Sequence, residues 1–120
     1  MSIDFIQNVL AQGFLSEYER LSHVSLTLQK LAKTRNCCFL ILSQLSNNTV
    51  NSSQKNTEYK GSGSIGTACD LGFFITRKEV ENIRDGENAF SLELRKNRRG
   101  IPGVEFDFIF KQPGGEIVSL

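Results

Sequence analysis

Residues 95–99 read Arg, Lys, Asn, Arg, Arg, so four of five neighbours carry positive charge. Lys96 and Arg98 suit the grip of a phosphate or carboxylate: a guanidinium offers a bidentate fork and an ammonium a compact point charge. The plain alternative is a solvated edge loop, because lysine at a sheet edge also blocks aggregation. Two other places invite chemistry. Ser43 and Gln44 follow a continuous apolar run, at the strand edge where ligands bind in open α/β sheets; an ordinary strand exit would read the same way. The run Lys60, Gly61, Ser62, Gly63 has side chains small enough to let backbone N–H groups approach a nucleic-acid phosphate. It is not a phosphate-cradling P-loop, because it lacks the terminal Gly, Lys and Ser or Thr and follows a polar stretch instead of a strand.

The elements that must position these residues follow from periodicity. Phe90, Leu92 and Leu94 alternate with Ser91, Glu93 and Arg95. Val104, Phe106, Phe108 and Phe110 then alternate with polar residues except at Ile109. That is the period of a sheet with one buried face. Gly100, Pro102 and Gly103 supply turn chemistry between the runs, so the cations are expected at a shaped hairpin tip, with Arg95 and Arg99 as solvated neighbours. The stripe of Phe106, Phe108 and Phe110 is expected to pack in the sheet's own interior, with packing against a partner or a second copy as the alternative.

Ser16 and Glu19 have the spacing of a capping box, and Leu21, Val24, Leu28, Leu31 and Ala32 recur at helical intervals, which predicts a helix over residues 17–34. Residues 37–42 form an apolar run that predicts a strand buried on both faces, Cys37 and Cys38 included. Residues 2–9 read as a short strand emerging into a loop around the single acid Asp4. Residues 46–60 hold almost nothing to bury and predict a flexible polar loop. Asp70 ends a short segment where it can cap or pair; residues 71–75 are another strand, a turn at 84–87 leads into the Phe90 strand, and Ile117 and Val118 close the sheet. His23 is expected to face solvent. A helix between buried strands, followed by strands joined by turns, makes an α/β layer with an antiparallel extension.

The chain has 120 residues, enough for one modest core. A formal charge of +1 gives no general pull toward nucleic acid, so any attraction is local. Five basic residues precede Glu58 and nine follow it, which places the more positive surface in the second half. Three cysteines and one histidine make neither a disulfide framework nor a zinc spacing. No stretch approaches a membrane span or a signal peptide, so the chain is expected in the cytoplasm.

Taken in order, these segments resemble the C-terminal half of the RecA-like ATPase domain of DnaB-like replicative DNA helicases. Residues 3–7 look like the end of the Walker B strand, residues 42–46 like the strand that carries the sensor glutamine, and residues 60–70 like the second DNA-binding loop and its following helix. Residues 96–100 look like the trans-acting lysine and arginine finger. The resemblance implies a partial RecA-like domain of the P-loop NTPase superfamily, with parallel core strands and helices plus antiparallel C-terminal strands.

It also implies roles. Asp4 would meet magnesium and nucleotide in a complete site, and Gln44 would sense nucleotide state. Lys60, Gly61, Ser62 and Gly63 would follow single-stranded DNA, and Lys96 and Arg98 would reach the γ-phosphate bound by a neighbouring subunit. The sequence departs from the family at Gly61, where an acidic residue is usual, and at Gly66, Thr67 and Ala68, where the family is acidic or amide-rich. This favours backbone contacts there.

The family's phosphate loop and catalytic glutamate lie upstream of the Walker B strand, so ATP and Mg2+ belong to the complete parent domain, and this chain alone is expected to hydrolyse no ATP. Its expected partners are single-stranded DNA, a Walker A-containing segment or a neighbouring helicase subunit, and itself, with no membrane. The alternative is a non-enzymatic module that binds single-stranded DNA or a helicase ring. Tyr59 is the only aromatic near the glycine loop, so affinity in that reading rests on phosphates and falls with salt.

Overall fold

Ser16 starts the longest element of the computed structural model, which describes residues 1–44, 63–81 and 83–120; the expected polar loop at 46–60 lies outside the described residues. Two compact units result, Met1–Cys69 and Asp70–Leu120. Together they give a mixed α/β protein with one parallel two-stranded sheet and one antiparallel four-stranded sheet.

In the first unit, helix α1 spans Glu17–Arg35. The Ser16 side chain accepts from the Glu19 N–H at 3.2 Å, and Glu19 Oε2 accepts from the Leu15 N–H at 3.1 Å, a reciprocal cap of the expected kind. Lys33 and Arg35 sit in the last turn, and Asn36 ends the helix in the left-handed region at φ 48°. Leu21 is fully buried and Val24 nearly so, joined by Ile6 from the 3-10 turn Ile6–Asn8 and by Ile65 from the short helix α2, Gly63–Ala68. Full burial of a leucine of this kind contributes about 2 kcal/mol. Gln29 Nε2 donates to the Ala68 carbonyl at 2.6 Å and fastens α2 to α1. Arg20 extends from α1 to donate to the Val9 carbonyl and, at 3.1 Å, to that of Gln7, which pins the segment after the turn. His23 is exposed, as expected.

Strand β1, Ser2–Ile3, pairs in parallel with β2, Leu40–Ile41. The expectation of a strand buried on both faces fails here. Phe39, Ile41 and Ser43 are half-buried toward the helix side, while Cys38, Leu40 and Leu42 are exposed, as is Cys37. A parallel strand is covered twice only when helices lie on both sides, and within this unit the described helical core meets one face.

In the second unit, β3 (Leu71–Lys78), β4 (Glu87–Asn97), β5 (Val104–Lys111) and β6 (Glu116–Ser119) form an antiparallel meander in that order. Pairing of Phe74 with Glu93, Ser91 with Asp107 and Ala89 with Ile109 defines one face. It buries Phe74, Ala89 and Ser91 beneath charged side chains: Arg95 lies over the Phe74 ring at 4.8 Å, and Lys78 pairs with Asp107. The Lys78 ammonium holds the Asp107 carboxyl below the usual carboxylate range against the opposing cost of desolvation, and Asp107 raises the Lys78 ammonium in return. Ser91 Oγ donates to Glu105 Oε1 at 2.5 Å, and the buried Asp107 Oδ1 has no hydrogen-bond partner.

The other face carries the phenylalanines, and Phe90 stacks on Phe108 at 5.7 Å. It is the open face. Phe106 is 56% exposed, Phe73 48% and Ile75 60%, while Phe108 and Phe110 are half-buried, so the expectation that the stripe fills the sheet's interior fails at Phe106. Each strand of the meander pairs with its sequence neighbour, and the described residues of this unit contain no helix to lay across the rings.

Candidate functional site

The parallel register of β1 and β2 places Ser2 beside Leu40 and Ile3 beside Ile41, so both chains leave the sheet at the same edge. Asp4 follows β1 there and is exposed; Gln44 stands three residues past β2 and is exposed too. Backbone bonds from the Leu42 N–H to the Ile3 carbonyl and from the Ile6 N–H to the Leu42 carbonyl, both 2.9 Å, carry the pairing past the sheet's end. Gln7 completes the edge. Its Nε2 donates to Ser43 Oγ at 3.0 Å, and its Oε1 accepts from the Gln44 N–H at 3.5 Å. Sequence reasoning gave Gln7 no role, because nothing in its spacing announces a residue that straps one strand exit to another 36 positions away.

An exposed carboxylate at the carboxyl edge of a parallel sheet is a hard oxygen ligand suited to magnesium. Asp4 fits that part. Among the described residues no group of three or more His, Cys, Asp or Glu could hold a metal ion. The phosphate-directed part of the sequence reading falls on Lys60, Gly61 and Ser62, which lie outside the described residues. Gly63, which opens α2, is exposed, and a Cβ built on it meets nothing within 4 Å. Internal packing therefore does not require glycine at that position.

In the second unit the basic cluster departs from its expected form. The β4–β5 ladder ends where Leu94 faces Val104, yet β4 continues along β3, with Gly72 opposite Lys96 and Leu71 opposite Asn97. Lys96 thus lies in a strand, half-buried, and not at a hairpin tip. The register shifts between Gly72 and Phe73, and an irregularity of this kind re-aims the side chains beyond it. Arg95 is no solvated neighbour either: its Nε donates to Glu93 Oε2 at 2.6 Å above Phe74. Arg99 is exposed, as expected.

Arg98 occupies the turn itself. Its N–H donates to the Asp70 carbonyl at 2.9 Å, and its Nη1 meets Asp70 Oδ1, also at 2.9 Å. Of the two roles that the sequence left to Asp70, pairing is realised. The turn is shaped by close approach, since a Cβ at Gly100 would stand 2.6 Å from Asn97 Nδ2, while Asn97 Oδ1 accepts from the Arg99 N–H at 3.2 Å. Lys96 and Arg98 therefore stand one residue apart on a fixed strand end, with Asp70 beneath the guanidinium. Such an arrangement can present two positive charges to one anion.

No helix among the described residues is long and apolar enough to cross a membrane. A comparison with curated proteins found no match. A family described as the DnaB-like helicase C terminal domain matches residues 1–114, nearly the whole chain, and the chain belongs to that family.

Proposed function

We propose that this chain is the C-terminal part of a RecA-like motor of a DnaB-type replicative DNA helicase. The observation that supports the reading is the shared edge of β1 and β2, from which the segments that carry Asp4 and Gln44 both emerge on a family-matched chain. Asp4 contributes a carboxylate oxygen to the magnesium of a bound nucleotide. Gln44, braced through its backbone by Gln7, reports the state of that nucleotide to the segment that begins at Lys60. Lys60, Gly61, Ser62 and Gly63 follow the backbone of single-stranded DNA, chiefly through backbone N–H groups. Lys96 and Arg98 act in trans, stabilising charge on the phosphoryl group transferred in a neighbouring subunit. ATP and Mg2+ enter with the part of the motor that carries the phosphate loop, and the whole works in the cytoplasm as an oligomer.

The test is reconstitution. The chain alone hydrolyses no ATP; mixed with a Walker A-containing segment of a DnaB-type motor, it restores DNA-stimulated hydrolysis. Arg98→Ala then lowers kcat by about a thousandfold, the scale of a lost arginine finger. Gln44→Ala leaves hydrolysis but removes its stimulation by DNA. Single-turnover hydrolysis by the pure chain that is lost in Arg98→Ala would overturn the division of labour.

The exposed Arg98 and Arg99 also favour the non-enzymatic reading, in which the chain holds single-stranded DNA without a motor. Titration of labelled single strands at two salt concentrations separates the two, because phosphate-driven binding weakens with salt and a chain that does not bind even at low salt removes this option.

A further inference from the structure

Gln44 is exposed, yet both polar groups of its main chain lead back to the side chain of Gln7. Its N–H donates to Gln7 Oε1 at 3.5 Å, and its carbonyl accepts from Ser43 Oγ at 3.4 Å. Ser43 Oγ in turn accepts from Gln7 Nε2 at 3.0 Å. The carboxamide fits one way round: with its ends exchanged, Nε2 would meet the Gln44 N–H, donor against donor. Because Nε2 supplies its own hydrogen, the single hydroxyl hydrogen of Ser43 goes to the Gln44 carbonyl. Donation therefore runs from Gln7 through Ser43 to Gln44, and bonds in such a chain polarise one another. Gln7 is the fixed end of that chain. Ile6, beside it in the 3-10 turn, is 1% exposed in the core, and Arg20 on α1 donates to the carbonyls of Gln7 and Val9. The Ile6 N–H also bonds the Leu42 carbonyl at 2.9 Å. The exit of β2 is thus held by main chain at Leu42 and by the Gln7 carboxamide at the next two residues.

We infer that Gln7 is a positioning residue for Gln44. The Gln44 N–H belongs to the peptide plane before its Cα and the carbonyl to the plane after it, so holding both fixes the direction in which the side chain leaves the backbone. The inference rests on the reading of Gln44 as the nucleotide sensor and adds to it the residue that aims it. Aim matters because a displacement of about 1 Å can cost on the order of 100-fold in rate. The contacts at 3.4 and 3.5 Å lie at the long end of hydrogen-bond range, and bonds of this kind tighten when a site is filled. Filling the nucleotide site then draws Gln44 against a Gln7 that α1 and the core keep in place.

The test has two arms. In the full 120-residue chain, Gln7→Ala moves the amide resonance of Gln44, while the Leu42 amide, bonded to the Ile3 carbonyl, keeps its protection from exchange. In the motor reconstituted with a Walker A-containing segment, Gln7→Ala lowers the DNA-stimulated kcat by about tenfold, the scale of one net hydrogen bond, and leaves KM for ATP within about twofold. Gln7→Glu keeps an acceptor for the Gln44 N–H but draws the Ser43 hydroxyl hydrogen away from the Gln44 carbonyl, so its kcat falls between wild type and Gln7→Ala. Added to Gln44→Ala, Gln7→Ala has no further effect, because residues that act as a unit are not additive. Ser43→Ala breaks the relay to the carbonyl alone and lowers kcat by about threefold, which supplies the test where Gln7→Ala does not fold. A wild-type mixture that hydrolyses no ATP overturns the sensor reading and the inference with it. With an active wild type, the inference alone is overturned by full DNA-stimulated kcat in Gln7→Ala or Ser43→Ala, by a Gln7→Glu equal to wild type, by additive losses in the double variant, or by an unmoved Gln44 resonance.

Discussion

The pair between Arg98 and Asp70 decides whether the cation can serve an anion outside the chain, and its strength can be worked out. The two groups meet at 2.9 Å, with side chains 39% and 63% exposed. At that separation the attraction in bulk water is about 1.4 kcal/mol. Against it stands the rotamer freedom that both side chains lose, up to about 2 kcal/mol for a long one. Exposed pairs accordingly measure about 0.2–1 kcal/mol, and we expect about 0.5 kcal/mol here. The perturbation is a double-mutant cycle of Asp70→Ala, Arg98→Ala and both together, in urea, followed by the amide signals of β4. The coupling should shrink in about 1 M salt, where the screening length falls to about 3 Å. A charge-assisted hydrogen bond to phosphate, at about 1.5–3 kcal/mol, then outbids Asp70 for the guanidinium. A coupling above about 2 kcal/mol would make Arg98 a structural cation locked in its own subunit, and the reasoning that makes it a finger would fail.

Removing the Leu21 side chain leaves a hole among Ile6, Val24 and Ile65, so Leu21→Ala should lower the stability of the first unit by about 3 kcal/mol, read as a shift in urea midpoint at unchanged slope. Ser16→Ala removes the acceptor for the Glu19 N–H and should cost about 1 kcal/mol, seen as earlier loss of helical circular dichroism. The Lys78–Asp107 pair sets a pH window. Because the Asp107 value is lowered in the fold, its contribution is present above the ordinary aspartate value near 3.9 and is lost as pH falls through the lowered one. Because the Lys78 value is raised, its contribution is present below about 10.4 and lost as pH climbs through the raised value. Wild type should therefore exceed Asp107→Asn in stability at neutral pH, with the gap closing in strong acid; a gap constant with pH would refute the assignment.

The sequence by itself determined what local chemistry fixes. Ser16, Glu19 and the leucine spacing announced α1 almost to the residue, because caps and helical periodicity act within a few positions. Alternation announced β4 and β5, because every second side chain of a strand shares a face. The ordered segments also announced the family.

Which face of a strand is covered is a different matter, since it depends on what another part of the chain, or another chain, lays across it. The apolar run at 37–42 and the phenylalanine stripe both read as core, yet the tertiary structure leaves Leu40 and Phe106 more than half exposed. The same limit governed the cations. All four of the cluster look alike in sequence, and only the fold bound Arg95 to Glu93 over Phe74, set Lys96 into the β3 ladder and laid Arg98 on Asp70. Charge is written residue by residue, whereas its availability is set by neighbours that lie as far as 28 positions away.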